Sequence, residues 1–299
     1  MLKPVALVAT ALAVVALTAC SASPPDNAGD GVLRVVASTN VYGDIAASIG
    51  GPDVEVTSII EDPSQDPHQF EANARVQLAL SRADVVIVNG GGYDDFATQM
   101  LEASGNEDAI VIDAVELSGR DAQADGFNEH VWYDYPTMRA VALEVADALA
   151  AIAPQRADAF SGGADRFDAG LGALDERIED LRATASGRGV VITEPVPLYL
   201  LDALGLVNIT PPEFSEAIED DSDVPPALLQ QVLNLIADGS AALVVYNEQT
   251  GGPQTDAILD IASESRVPAI GVTETLPTGT DYLGWQNGYI DLIADALDG

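Results

Sequence analysis

The 299 residues hold 48 Asp+Glu against 12 Lys+Arg, a formal net charge of -36 at pH 7. A chain of that sign repels nucleic acid and anionic lipid headgroups and disfavours anionic ligands. It favours cations in a general way, and acidity also serves solubility. Hydrophobic residues make up 47%, enough for one large or two medium domains.

Residues 1–20 read as an export signal. Lys3 gives a short positive start, Val5 to Leu17 are apolar, and Leu17-Thr18-Ala19-Cys20 closes the segment with small residues. The apolar part is shorter than the roughly 20 residues that a spanning helix needs, and a cleavage-type ending follows it. Cys20 is the only cysteine, so it forms no internal disulfide. Leu-x-Ala-Cys resembles the bacterial lipobox, which implies that Cys20 becomes a lipidated N-terminus after cleavage. Residues 21–31 are polar and unpatterned, as a flexible tether is.

From Leu33 onward, short apolar runs alternate with helical patterns. Strands are expected at Leu33 to Ala37, Val54 to Ile60, Asp84 to Asn89 and Ala109 to Ile112, with helices near Val41 to Ile49, Ala74 to Arg82 and Tyr93 to Ala103. A second series has strands at Gly189 to Thr193, Val207 to Thr210, Ala241 to Tyr246 and Pro268 to Val272. Its helices are expected at Leu198 to Leu204, Pro226 to Ala237, Thr255 to Ser265 and Tyr282 to Leu297. Such alternation predicts βαβ units and parallel sheets. Between the series, Pro136 to Thr184 is helical. Phe160, Phe167, Leu171, Leu174, Ile178 and Leu181 form a stripe, and Pro154 opens a new stretch after a break near Ala153. The expected fold is α/β: two lobes, 32–135 and 187–299, each with a parallel sheet flanked by helices. A long connecting helix within 136–186 joins them.

The chain contains two histidines, His68 and His130. Each lies in a loop-like, acid-flanked segment, Asp66-Pro67-His68-Gln69-Phe70-Glu71 and Asn128-Glu129-His130-Val131-Trp132. A lone loop histidine is more often solvated or hydrogen-bonded than ligating. Glu194 and Glu274 each end an apolar run with Thr-Glu, at the carboxyl ends of expected parallel strands, where open α/β sheets place a ligand crevice. Two imidazoles and two carboxylates make a net-negative cage suited to Zn²⁺ or Mn²⁺ and poorly suited to Cu(I). The acidic run Glu216 to Asp223 reads as a solvated loop, Glu248 as structural or as lining the cleft behind the ligands, and Trp132, Tyr282 and Trp285 as cleft walls and core.

These residues resemble the zinc/manganese-binding solute-binding lipoproteins of ABC metal importers, from about Leu33 to the C-terminus. Asp66 to Glu71 matches the family pattern Asp-Pro-His-x-Phe-Glu, and His130-Val131-Trp132 matches His-x-Trp. Asn128-Glu129 stands where the family has Asp-Pro. The resemblance implies a metal held by His68, His130, Glu194 and Glu274, with Glu274 in a position more often Asp. It implies no enzymatic activity, and a Zn²⁺ or Mn²⁺ ion carried as transported substrate. The Irving–Williams order favours zinc. The implied partner is an ABC membrane permease; the protein is taken as a monomer, held outside the cytoplasm on the cell membrane by its lipid. Two other readings compete. A metallohydrolase keeps three protein ligands and an activated water, whereas four ligands leave no such place. A surface adhesion lipoprotein with a structural metal does not explain ligands split between lobes.

Overall fold

The computed structural model describes residues 31–62, 70 and 73–298. Two four-stranded sheets follow one another along the chain. The first holds β1 (Leu33–Thr39), β2 (Val54–Ile60), β3 (Val85–Val88) and β4 (Ile110–Asp113) in the order β2-β1-β3-β4. The second holds β5 (Gly189–Ile192), β6 (Val207–Asn208), β7 (Ala241–Asn247) and β8 (Ala269–Val272) in the matching order β6-β5-β7-β8. Every neighbouring pair is parallel, so each connection must cross over.

Helices make most of these crossings. In the first lobe they are α1 (Asn40–Gly50), α2 (Ala74–Leu80) and α3 (Asp95–Ser104), with the short α4 (Ala114–Ser118) after β4. Then come α5 (Tyr135–Ile152) and α6 (Ala157–Ala185). The second lobe has α7 (Leu198–Ala203), α8 (Pro212–Glu219), α9 (Pro226–Ala237), α10 (Pro253–Ser265) and α11 (Tyr282–Asp298). Local chemistry sets the starts. The side chains of Asn73, Asp113 and Asp134 accept from first-turn N–H groups of α2, α4 and α5, and prolines open α8, α9 and α10. The break falls at Ala153, whose φ of -127° and ψ of 71° leave the helical region ahead of Pro154.

The strands show which face each side chain serves. Val35, Ile87, Val190, Ile192, Leu243 and Val245 point into one continuous core that also takes in Phe160, Phe167, Leu171 and Leu174 of α6 and Ile290 and Ile293 of α11. Their neighbours Val36 and Val86 serve a cluster under α2 and α3, and Val191 and Val244 one under α8, α9 and α10. With 29 residues, α6 is about 44 Å long. Gly163 lets it approach α1 closely: a Cβ there would lie 2.4 Å from the Ile49 carbonyl oxygen.

Candidate metal centre

The carboxyl ends of the second sheet carry three polar residues in register. Strand order places β7 between β5 and β8. An amide ending β7 therefore sits between the carboxylates that follow its two neighbours. Asn247 is that residue. Its Nδ2 donates to Glu194 Oε2 and to Glu274 Oε1, each at 2.8 Å, and lies 3.0 Å from Thr250 Oγ1. The Asn247 backbone N–H donates to Thr193 Oγ1 at 3.1 Å. Two Glu residues far apart in sequence are thus held together by one neutral side chain.

The first lobe supplies His130. Asn89, ending β3, donates through Nδ2 to the Glu129 carbonyl at 3.0 Å, anchoring the loop that carries the imidazole. Gly90, next in the chain, has φ of 79°, and a Cβ there would strike the Asp113 carboxylate at 2.2 Å; only glycine fits this turn. His130 Nδ1 lies 2.6 Å from Asn128 Oδ1, which also accepts the His130 backbone N–H at 3.1 Å. Asn128 Nδ2 donates to the Pro195 carbonyl at 3.0 Å, which fixes the amide orientation. Facing an oxygen, Nδ1 carries the proton of the neutral ring, so Nε2 presents its lone pair.

His130 Nε2 points at the carboxylates of the second lobe. It is 3.9 Å from Glu274 Oε2 and 3.6 Å from Glu219 Oε1. Tyr93 OH donates to the same Glu274 oxygen at 3.0 Å. His130 and Glu274 are 0% exposed and Glu194 3%. Donor atoms of Glu129, His130 and Glu219 all lie within 4.8 Å of one another. Burial, followed by the charges of Glu129, Glu194 and Glu274, pushes the Glu219 carboxyl up to about 9. So many carboxylates in one enclosed place require either protons or a cation.

The structure therefore brings His130, Glu194 and Glu274 together. His68 and Cys20 lie outside the described residues. Glu219 corrects the reading of Glu216 to Asp223 as solvated loop. Asp220 to Asp223 are exposed, but residues 212–219 form α8, and Glu219 at its end turns inward. Asn247 and Tyr93 also escaped the sequence reading. Glu248, which drew attention there, is exposed. The walls are aromatic: the rings of Trp132 and Tyr93 lie 5.0 and 6.1 Å from that of His130.

Several hydrogen bonds tie the two sheets' loops across the centre. Asn40 and Leu276 exchange a reciprocal pair at 2.9 and 3.0 Å. Tyr133 OH donates to the Thr273 carbonyl at 2.8 Å, and Tyr282 OH to the Trp132 carbonyl at 2.6 Å. Among the described residues, no helix is long and apolar enough to cross a membrane.

Comparison with known proteins places this geometry in context. Residues 35–296 match the family model described as zinc-uptake complex component A, periplasmic. The chain is 27% identical over 281 residues to the manganese-binding lipoprotein MntA of Halalkalibacterium halodurans, covering 87% of this chain and 88% of that protein. It is 23% identical over 302 residues to the manganese ABC transporter substrate-binding lipoprotein PsaA of Streptococcus mitis, covering 96% of each. The crystal structure of ZnuA superposes with a TM-score of 0.75 at 20% identity, over 89% of this chain and 99% of that one.

Proposed function

This chain belongs to the zinc-uptake complex component A family, and on that footing we propose that it captures one divalent transition metal ion and hands it to a membrane permease. In coarse terms it is the substrate-binding component of an ABC metal importer and not an enzyme. The finer assignment is ours: His68, His130, Glu194 and Glu274 ligate the ion, which is cargo rather than cofactor. The observation that carries this reading is Asn247, whose single amide nitrogen draws the carboxylates of Glu194 and Glu274 together beside the His130 lone pair.

The residues divide the work. Asn128 holds His130 in the ligating tautomer. Asn247 and Tyr93 steady the two carboxylates. Trp132 and Tyr93 exclude water from the imidazole side. The lone pairs bind the ion only when deprotonated, so affinity falls in acid. The hydrogen bonds across the centre, together with α6, favour small tilts of the lobes over wide closure. A permease distinguishes loaded from empty protein only through a difference in contacts, and here that difference is a small one. Cys20, lipidated, holds the protein at the outer face of the cell membrane, as a monomer.

The test is calorimetric titration of chelator-stripped protein lacking residues 1–20 with Zn²⁺ and Mn²⁺. One tight equivalent, lost in a His68→Ala/Glu194→Ala double variant, supports the site. Uptake of neither ion sinks it and leaves a surface interaction role as the successor.

A further inference from the structure

Glu219 runs against two preferences of its residue type. It stands at the C-terminal end of α8, where the helix dipole disfavours a carboxylate. Its side chain is only 15% exposed. The carboxylates of Glu129, Glu194 and Glu274 surround it. Its Oε1 is fully buried and accepts no hydrogen bond among the described residues. Yet its backbone is fixed with care. The N–H of Ser222 bonds to the Ala217 carbonyl at 2.8 Å and that of Asp221 to the Ile218 carbonyl at 3.1 Å. This pair of bonds is a Schellman cap, with Asp221 in the left-handed region at φ of 48°. Phe214 and Ile218 pin the same helix to the second lobe's outer cluster. A position that breaks local rules while its backbone is held rigid marks a functional residue.

We propose that Glu219 is a further oxygen donor of the metal centre, delivered by the capped end of α8, and that it biases the centre toward Mn²⁺ over Zn²⁺. Its Oε1 is 3.6 Å from His130 Nε2, a shorter gap than the 3.9 Å from that nitrogen to Glu274 Oε2. Donor atoms of Glu129, His130 and Glu219 lie within 4.8 Å of one another, so an ion on the imidazole is within reach of the Glu219 carboxylate. The inference rests on the site proposed above and deepens it. Zn²⁺ is best served by four ligands in a tetrahedron, and two imidazoles with Glu194 and Glu274 already supply four. An added carboxylate gains little for such an ion. Mn²⁺ takes more ligands and prefers oxygen, so the same carboxylate completes its shell. Glu219 thus opposes the Irving–Williams preference for zinc that the four-ligand set alone carries.

The experiment compares Mn²⁺ and Zn²⁺ affinities, by competition against a chromophoric chelator, for the wild type, Glu219→Ala and Glu219→Gln. Asp220→Asn serves as the control that removes an exposed charge one residue away. The expected result is a Mn²⁺ affinity reduced by at least the about 10-fold seen for weaker, outer-shell changes. The Zn²⁺ affinity should stay within the scatter of replicate titrations, the bound Mn²⁺ electron paramagnetic resonance spectrum should change, and Asp220→Asn should alter nothing. Should Glu219→Ala fold poorly, Glu219→Gln, which keeps the shape, gives the answer. An equal loss for both metals, or no loss for either, overturns the proposal while leaving the four-ligand site standing. A wild type that binds neither metal overturns both.

Discussion

The sharpest test of the centre is a residue that touches no metal. Asn128 accepts from His130 at 2.6 Å and donates to the Pro195 carbonyl at 3.0 Å. Replacing it with Leu keeps the bulk and removes these bonds together with the one from the His130 backbone N–H. The imidazole then loses its fixed tautomer, and its Nδ1–H is left without a partner in a buried place. A hydrogen bond to a charged group is worth about 1.5–3 kcal/mol, and a neutral imidazole polarised by a bound cation approaches that class. At about 1.4 kcal/mol per tenfold, Asn128→Leu should weaken metal binding by about 10- to 100-fold, the range typical of such outer partners. Asn128→Asp keeps the acceptor and strengthens it, losing only the donor to Pro195. Its affinity should stay at or above the wild-type value. The assay is chelator competition, paired with long-range proton–nitrogen NMR of the metal-free protein. The chain has two histidines, so the spectrum holds two imidazoles and the Nδ1–H form of His130 can be assigned. An Asn128→Leu protein with unchanged affinity, or a wild-type His130 protonated at Nε2, would refute the reasoning.

Further outcomes follow from the same contacts. Asn247→Ala removes the shared donor of two buried carboxylates, so metal affinity should fall by about 10- to 100-fold, with a lower melting temperature for the metal-free protein. Gly163→Ala puts a Cβ 2.4 Å from the Ile49 carbonyl oxygen; the clash, of about 1–3 kcal/mol, should outweigh the helix preference for alanine, about 1 kcal/mol, and lower the melting temperature. Asp44 is raised above its usual range, chiefly by burial, although its carboxylate accepts the Tyr282 N–H. Its folded form holds the proton more tightly than the unfolded chain, so its contribution to stability is full below the usual Asp range and is lost as pH rises through the raised value. Asp44→Asn should therefore gain melting temperature relative to the wild type as pH climbs from about 3.5 to 6; a constant difference across that window would contradict the sign.

Much of the fold was legible because each strand is a short apolar run between helices, and all eight expected strands are present within a residue or two at either end. The lobe organisation followed from that alternation. The break at Ala153 was visible in Pro154. What escaped were the elements with weak signals. The five residues of α4 are too few for a period. In α8, Pro211-Pro212 and the acids that follow hide a single buried apolar pair, Phe214 and Ile218. Helix α3 starts at Asp95 rather than Tyr93, because Gly90, Gly91 and Gly92 all take positive φ and hold Tyr93 in a turn facing Glu274.

The site divides in the same way. Glu194 and Glu274 could be found because a charged residue closing an apolar run stands out. Asn247 could not, since a neutral amide carries no ligand signature. Its bridging role arises from strand order, which is a tertiary fact. Its neighbour Glu248 carries the charge, but consecutive residues leaving a strand face opposite ways, and only Asn247 faces inward. Glu219 lay hidden in a run of acids whose other members are solvated.

The aromatic wall beside His130 gives the protein an optical property. Trp132 is one of two tryptophans, and its ring stands edge-on to His130 at 5.0 Å. The other, Trp285, sits among Tyr133, Tyr282 and Tyr289, with ring centres 5.5 to 6.1 Å apart. With His130 as the proposed ligand, emission from Trp132 would sense the ion through that ring contact, and Trp285 would contribute a second signal from its tyrosine surroundings. An ion with a filled d shell, such as Zn²⁺, would alter that emission only by polarising the ring, whereas the unpaired electrons of Mn²⁺ would quench it. On the proposed site, the unmodified protein would in this sense serve as its own fluorescent indicator of the ion bound.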